Sequence, residues 1–135
     1  MNLEANVGLS FKGDCEAAFK LYAQMFGAKL ELVLTWGASP LASSAPPEWA
    51  AKILVARLTS RNMTLTGGDS LPGTYQAPSG FNLCLSTSDT AEAERFFAEL
   101  SAGGSVRMPL QTTFWAARYG EVIDRFGVPW EVGTR

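Results

Sequence analysis

The chain contains no histidine. That absence removes the usual imidazole general base, the Ser-His and Cys-His nucleophile pairs and the commonest transition-metal ligand. Cysteine occurs only as Cys15 and Cys84, too few for a structural zinc site within one chain. Both read as free, partly buried thiols of a reducing cytoplasm. Charge is sparse: eleven basic residues against thirteen acidic ones give −2. With no basic surplus for a phosphate backbone, nucleic acid is not expected as a partner. No apolar run approaches the ~20 residues that span a bilayer, and Met1 to Ala5 is too polar and short for a signal peptide. The expectation is a soluble cytoplasmic protein with no membrane partner. The glycine pairs Gly67-Gly68 and Gly103-Gly104 lack the spacing of a phosphate or dinucleotide loop. Any catalysis therefore falls to carboxylates, Arg, Lys, Tyr, Cys or a hard metal held by oxygens.

What is present is a core. At 135 residues, 47% apolar and 11% aromatic, the chain is one small packed domain, or two half-size units that share a core. Val7, Leu9 and Phe11 alternate with polar or small residues, the period of a half-buried strand over residues 5–11. Gly13 then turns the chain, Asp14 is placed to cap a helix, and Ala18, Tyr22, Met25 and Phe26 share one helical face ahead of a stop at Gly27. Leu30, Leu32, Leu34 and Trp36 predict a second strand. Residues 37–48, rich in Ala, Ser and Pro, predict a mobile loop. Strands are predicted over 52–59 and 63–67, joined by a turn at Ser60-Arg61-Asn62.

After a Pro- and Gly-containing loop at 69–79 the order restarts. Phe81, Leu83, Leu85 and Thr87 alternate. Asp89 caps a helix with Glu92 completing a capping box, and Ala93, Phe96, Phe97 and Leu100 form its apolar face. Three more strands are predicted over 105–110, 114–124 and 128–132. The helices superpose at an offset of 75 and the preceding strands at 76, which matches Asn6 with Asn82 and Val7 with Leu83. Each half reads as βαβββ, with modules at 3–67 and 80–134 inside a single domain spanning 1–135. A helix after a strand covers one sheet face and leaves the other for a partner or a cavity.

Tandem βαβββ units of this length resemble the vicinal oxygen chelate superfamily (glyoxalase, bleomycin resistance and dioxygenase), and in particular its PhnB-like branch. The resemblance runs through Gly8-Leu9-Ser10-Phe11-Lys12-Gly13-Asp14, Ala45-Pro46-Pro47-Glu48-Trp49, Lys52-Ile53-Leu54 and Gly80-Phe81-Asn82-Leu83. It is most specific from Met108-Pro109-Leu110 through Thr113-Phe114-Trp115-Ala116-Ala117-Arg118-Tyr119-Gly120 to Asp124-Arg125-Phe126-Gly127-Val128-Pro129-Trp130. It implies an α+β fold in which curved mixed sheets surround a bowl-like cavity, and a homodimer. Some relatives are described as demethylubiquinone methyltransferases. This chain is too short for a methyl-donor Rossmann domain and has no glycine-rich cofactor loop, which argues against that activity.

In the superfamily a divalent metal sits in the bowl. The ligand positions the resemblance carries over are Asn6, Thr64 or Thr66, Asn82 and Glu131. Only Glu131 keeps a usual metal-binding side chain, and Val55 stands where many PhnB-like relatives have histidine. One carboxylate among amides and hydroxyls suits neither Zn nor Ni, so no cofactor is expected, a hard ion such as Mg²⁺ being the one alternative.

Strand alternation packs Trp130 and Val132 and turns Glu131 toward the cavity, where an apolar setting is expected to raise its pKa. It is the candidate base, ligand acceptor or metal ligand; the alternative is an ion pair with Arg118. Asn6 and Asn82 are candidate ligand donors or strand ties. Arg118 is a candidate carboxylate or phosphate clamp, or else a partner of Asp124 or Glu121. Trp36, Trp49, Phe114 and Trp115 are candidate stacking aromatics, or core and dimer contacts. Cys84 shares a face with Asn82 and Ser86 and is, like Thr64 and Thr66, a candidate ligand contact, but no base is visible to make it a nucleophile. The expected function is metal-free binding of a small molecule. Two alternatives are a lyase or isomerase using Glu131 on a small oxygen-rich substrate, and a dimeric interaction protein with a filled cavity.

Overall fold

A computed structural model describes residues 2–135; Met1 lies outside the described residues. The chain divides into two compact units, one ending at Gln76 and one beginning at Ala77. Each is a four-stranded mixed sheet with one helix.

The first unit runs β1 (Val7–Phe11), α1 (Cys15–Phe26), β2 (Lys29–Thr35), β3 (Ile53–Ser60) and β4 (Met63–Asp69), with single 3-10 turns at Ala42–Ser44 and Pro47–Trp49. Its sheet order is β1-β4-β3-β2. β1 lies parallel to β4 and the other pairs are antiparallel. The alternating residues Leu9, Phe11, Ala56, Leu58 and Leu65 meet the helix face of Cys15, Ala18, Phe19 and Tyr22, all buried. Phe11 and Phe19 pack edge to face at 5.8 Å. Gly27 ends α1 in the left-handed conformation (φ 62°), which a side chain resists.

The structure departs from the predicted elements at identifiable places. Asp14 occupies the N-cap position without a side-chain capping bond. The β3–β4 turn is Arg61-Asn62, closed by the Ser60–Met63 pair. β2 carries register shifts around Val33, so simple alternation fails and Leu32 and Val33 are exposed. The 37–48 loop is pinned: Gly37 donates to the Ala50 carbonyl, and buried Ser39 donates from Oγ to the Trp36 carbonyl at 2.8 Å.

The second unit runs β5 (Leu83–Thr87), α2 (Thr90–Ser101), β6 (Ser105–Gln111), β7 (Tyr119–Ile123) and β8 (Pro129–Thr134), in sheet order β5-β8-β7-β6. The order repeats that of the first unit strand for strand, with β5 parallel to β8. Leu83, Ala93, Phe97, Leu100, Val122, Trp130 and Val132 are buried. Asp89 accepts from the Ala91 and Glu92 amides as a cap should. The expected capping box is rewired: Glu92 accepts from the Thr87 hydroxyl at 2.6 Å, and that hydroxyl accepts the Asp89 amide. The strand predicted over 114–124 begins only at Tyr119. Upstream of it, Thr113 closes a turn by donating its amide to the Ala116 carbonyl while its hydroxyl accepts the Ala116 amide. That turn leaves Phe114 at its tip, 96% exposed.

Among the described residues, no helix is long and apolar enough to cross a membrane.

Candidate functional site

The sheet face of the second unit opposite α2 carries the polar residues. On β8, Trp130 and Val132 point into the core and Glu131 to the other side; on β7, Gly120 and Val122 are buried while Tyr119 and Glu121 stand opposite. Cys84 of β5 is the direct cross-strand partner of Glu131, and so is Glu121 of β7. Alternation on three adjacent strands therefore delivers a thiol and two carboxylates in one row.

Glu131 is the hub. Its Oε2 accepts from the Cys84 thiol at 2.7 Å, and its Oε1 accepts a close hydrogen bond from the Tyr119 phenol. The same phenol oxygen lies 3.1 Å from Glu121 Oε2. The hydrogen bonds from Cys84 and Tyr119, with a further one from Asn82, hold the Glu131 carboxyl below the ordinary carboxylate range despite opposing burial. This corrects the expectation of a raised value: donors aimed at the charged form outweigh desolvation. The reciprocal effect falls on the donors. Hydrogen bonding to Glu131, then burial and that carboxylate's charge, push the Cys84 thiol up to about 11. Burial and hydrogen bonds to Glu131 and Glu121 likewise push the Tyr119 phenol up.

An open pocket of about 230 Å³ lies over the Cys84–Glu131 pair, lined among others by Cys84, Ser86, Trp115, Tyr119, Glu131 and Thr134. Trp115 packs edge-on against Tyr119 with ring centres 5.1 Å apart, and Phe114 packs edge-on against Trp115 at 4.6 Å. All the lining residues belong to the second unit.

The other candidates fall as follows. Asn82, just before β5, accepts from Arg107 Nη1 at 3.4 Å beside the row. Among the described residues Arg118 forms its ion pair with Glu94 rather than with Glu121 or Glu131. Its Nε donates to Glu94 at 3.2 Å, and its Nη1 donates to the Thr112 hydroxyl and the Ala117 carbonyl. Glu121 pairs instead with Arg107 at 3.8 Å. In the first unit, Asn6 is exposed ahead of β1, Thr64 pairs with Thr59, and the Thr66 hydroxyl lies 3.4 Å from the Val7 carbonyl. Trp36 is a core residue whose indole donates to the Asp69 carbonyl at 2.9 Å. The register of the first unit makes Thr66 the counterpart of Glu131, Gly8 that of Cys84 and Arg57 that of Glu121. The repeat thus preserves the frame while only the second copy carries this acid–thiol–phenol set.

Tyr119, Glu121 and Arg107 were missed as site residues. The signal for the first two was the Gly120–Val122 alternation, hidden by reading the strand as beginning at Phe114. The buried Asp69 and Asp124 were missed as well. Asp124 accepts the Phe126 and Val128 amides and the Trp130 indole at 2.9–3.0 Å. Asp69 accepts the amides of Gly13, Cys15 and Ile53.

The donor set does not suit a divalent metal. Both Glu131 oxygens already accept hydrogen bonds, from the Cys84 thiol and the Tyr119 phenol, and a metal would have to displace them. Among the described residues, no three His, Cys, Asp or Glu side chains are grouped to hold one.

A sheet-and-helix unit built twice, each copy a four-stranded mixed sheet in the same strand order, is the glyoxalase/bleomycin resistance fold. The chain belongs to the PhnB-like family described as 3-demethylubiquinone-9 3-methyltransferase, whose model matches residues 4–133. Protein YjdN of Escherichia coli (strain K12) is 33% identical over 136 residues, covering 93% of this chain and 91% of that protein. Protein PA1353 from Pseudomonas aeruginosa shares 40% identity at a TM-score of 0.84, over 98% of both chains. The PhnB protein from Bacillus cereus shares the fold at a TM-score of 0.84 with 17% identity, over 98% of this chain and 100% of that one.

Proposed function

We propose that the protein binds a small molecule in the pocket of its second unit, without a metal. The observation that supports this most is the convergence of a carboxylate, two protonated donors and an aromatic wall on one open pocket of about 230 Å³. The family description names a methyltransferase. Two separate four-stranded sheets provide no doubly wound parallel sheet of the kind that holds a methyl donor. The alternative of a lyase or isomerase with Glu131 as base is disfavoured by electrostatics. A base works best with a pKa near the working pH, and the hydrogen bonds on Glu131 move it away from that range. The filled-cavity alternative is disfavoured by the space over the Cys84–Glu131 pair.

The reading extends to a homodimer, for which exposed Leu32 and Val33 supply apolar surface. It extends also to a cytoplasmic location, which suits an exposed cysteine left free. A thermal-shift screen of small metabolites, each hit then assayed for turnover, tests it. A stabilising compound recovered unchanged, and no longer stabilising Glu131→Gln, is the expected result. Binding at 100 times the dissociation constant stabilises by about 2.7 kcal/mol, well within reach of the method. Conversion of a hit to product overturns the reading in favour of the enzyme, and stabilisation by Mg²⁺, Mn²⁺, Ni²⁺ or Zn²⁺ overturns its metal-free part.

A further inference from the structure

We infer that the pocket of the second unit selects a cation, namely a protonated amine carried on a flat aromatic body. This rests on the binding reading above and names the ligand class.

Three observations carry it. First, Glu121 and Glu131 are direct cross-strand partners on β7 and β8. Like charges placed opposite each other in an antiparallel pair cost stability, and here the two carboxylates flank a single phenol that has only one proton to donate. Second, the pocket's lining contains an acid and no base among the described residues. The nearby arginines are engaged at the margin, Arg107 with Glu121 and Asn82, and Arg118 with Glu94. Among the described residues Glu131 is met by the neutral donors Cys84, Tyr119 and Asn82, so its charge is hydrogen-bonded without an ion-pair partner there. Third, the wall beside it is aromatic. Trp115 is 54% exposed, lines the pocket and is braced edge-on by Phe114 and Tyr119. A carboxylate beside indole and phenol rings is a setting in which an ammonium group can gain from ion pairing and cation–π attraction together, with the indole available to the ligand's ring. An anionic ligand would meet the Glu131 carboxylate there.

Three probes of one shape and different charge test this: 2-phenylethylamine, 2-phenylethanol and 3-phenylpropionate, titrated at pH 7 against the full chain and followed by the amide NMR shifts of Ser86, Trp115 and Gly133. The amine is expected to bind about tenfold more tightly than the alcohol, and the propionate most weakly. Glu131→Gln is expected to bring the amine's affinity down close to that of the alcohol, since cation–π attraction alone is small at an open site. Should that variant fail to fold, Glu121→Gln is expected to reduce the same advantage. If the alcohol or propionate moves these amides and binds as tightly as the amine, the cation inference fails and the binding reading stands. An amine advantage that survives both substitutions also overturns it. If none of the three probes moves these amides, both fall together.

Discussion

Cys84 and Glu131 face each other across the parallel β5–β8 pair, the thiol donating to Oε2 at 2.7 Å. The arrangement resembles an activated nucleophile, but its electrostatics run the other way. A thiolate next to a carboxylate is disfavoured, so the carboxylate keeps the proton on sulfur.

Alkylation should report this directly. With the thiol moved from an ordinary 9.0 to about 11, the thiolate fraction at pH 8 falls by about a hundredfold. Cys84 is thus expected to react with iodoacetamide far more slowly than a free cysteine despite being exposed, and Glu131→Gln is expected to speed it. Peptide mass spectrometry after timed quenching distinguishes Cys84 from buried Cys15. A fast Cys84 in the native protein contradicts the hydrogen bond.

Glu131 makes the complementary prediction. Its folded pKa lies below the unfolded value because Cys84 and Tyr119 donate to the ionised form. Its stabilising contribution is therefore complete above the unfolded carboxylate pKa and fades as pH falls through the lower, folded one. A carboxyl carbon NMR titration should place the Glu131 midpoint below that of ordinary glutamates, and Tyr119→Phe should raise it. A midpoint above the ordinary range would contradict the donor geometry.

Asp124 is expected to matter for folding rather than for binding. It is 4% exposed and accepts two amides and the Trp130 indole. Asp124→Ala leaves those donors without a partner and should destabilise by about 3 kcal/mol or more, whereas Asp124→Asn, which keeps an acceptor oxygen, should cost less. Urea denaturation of the two variants measures this. A loss under about 1 kcal/mol for the alanine would mean that water replaces the carboxylate there.

The proposed homodimer predicts, by light scattering at micromolar concentration, a mass twice the 14.5 kDa of the chain. A monomer over that range would remove the dimer from the functional reading.

The frame was legible in the residues because it depends on period. Leu9 and Phe11 on one strand, and Ala93, Phe97 and Leu100 on one helix, announce a buried face by spacing alone. The outward turn of Glu131 followed in the same way from Trp130 and Val132. Other features failed to show for physical reasons. The bulge around Val33 shifts parity without an unusual residue to mark it. The turn at Thr113 is set by paired backbone and side-chain hydrogen bonds with Ala116 that override a strand-like composition. The partners of Arg118 and Glu121 depend on which long side chains reach each other, as the choices of Glu94 and Arg107 illustrate.

Composition and residue period were enough for a duplicated βαβββ frame, the lack of imidazole chemistry and the face on which Glu131 stands, because each follows from residue counts or from a repeat of two or 3.6 residues. Tertiary structure alone decided that a thiol from β5 and a phenol from β7 both reach that carboxylate and hold it ionised. The three come from positions 84, 119 and 131, and their meeting depends on strand order and register, which bring distant residues within hydrogen-bonding range and which no local spacing encodes.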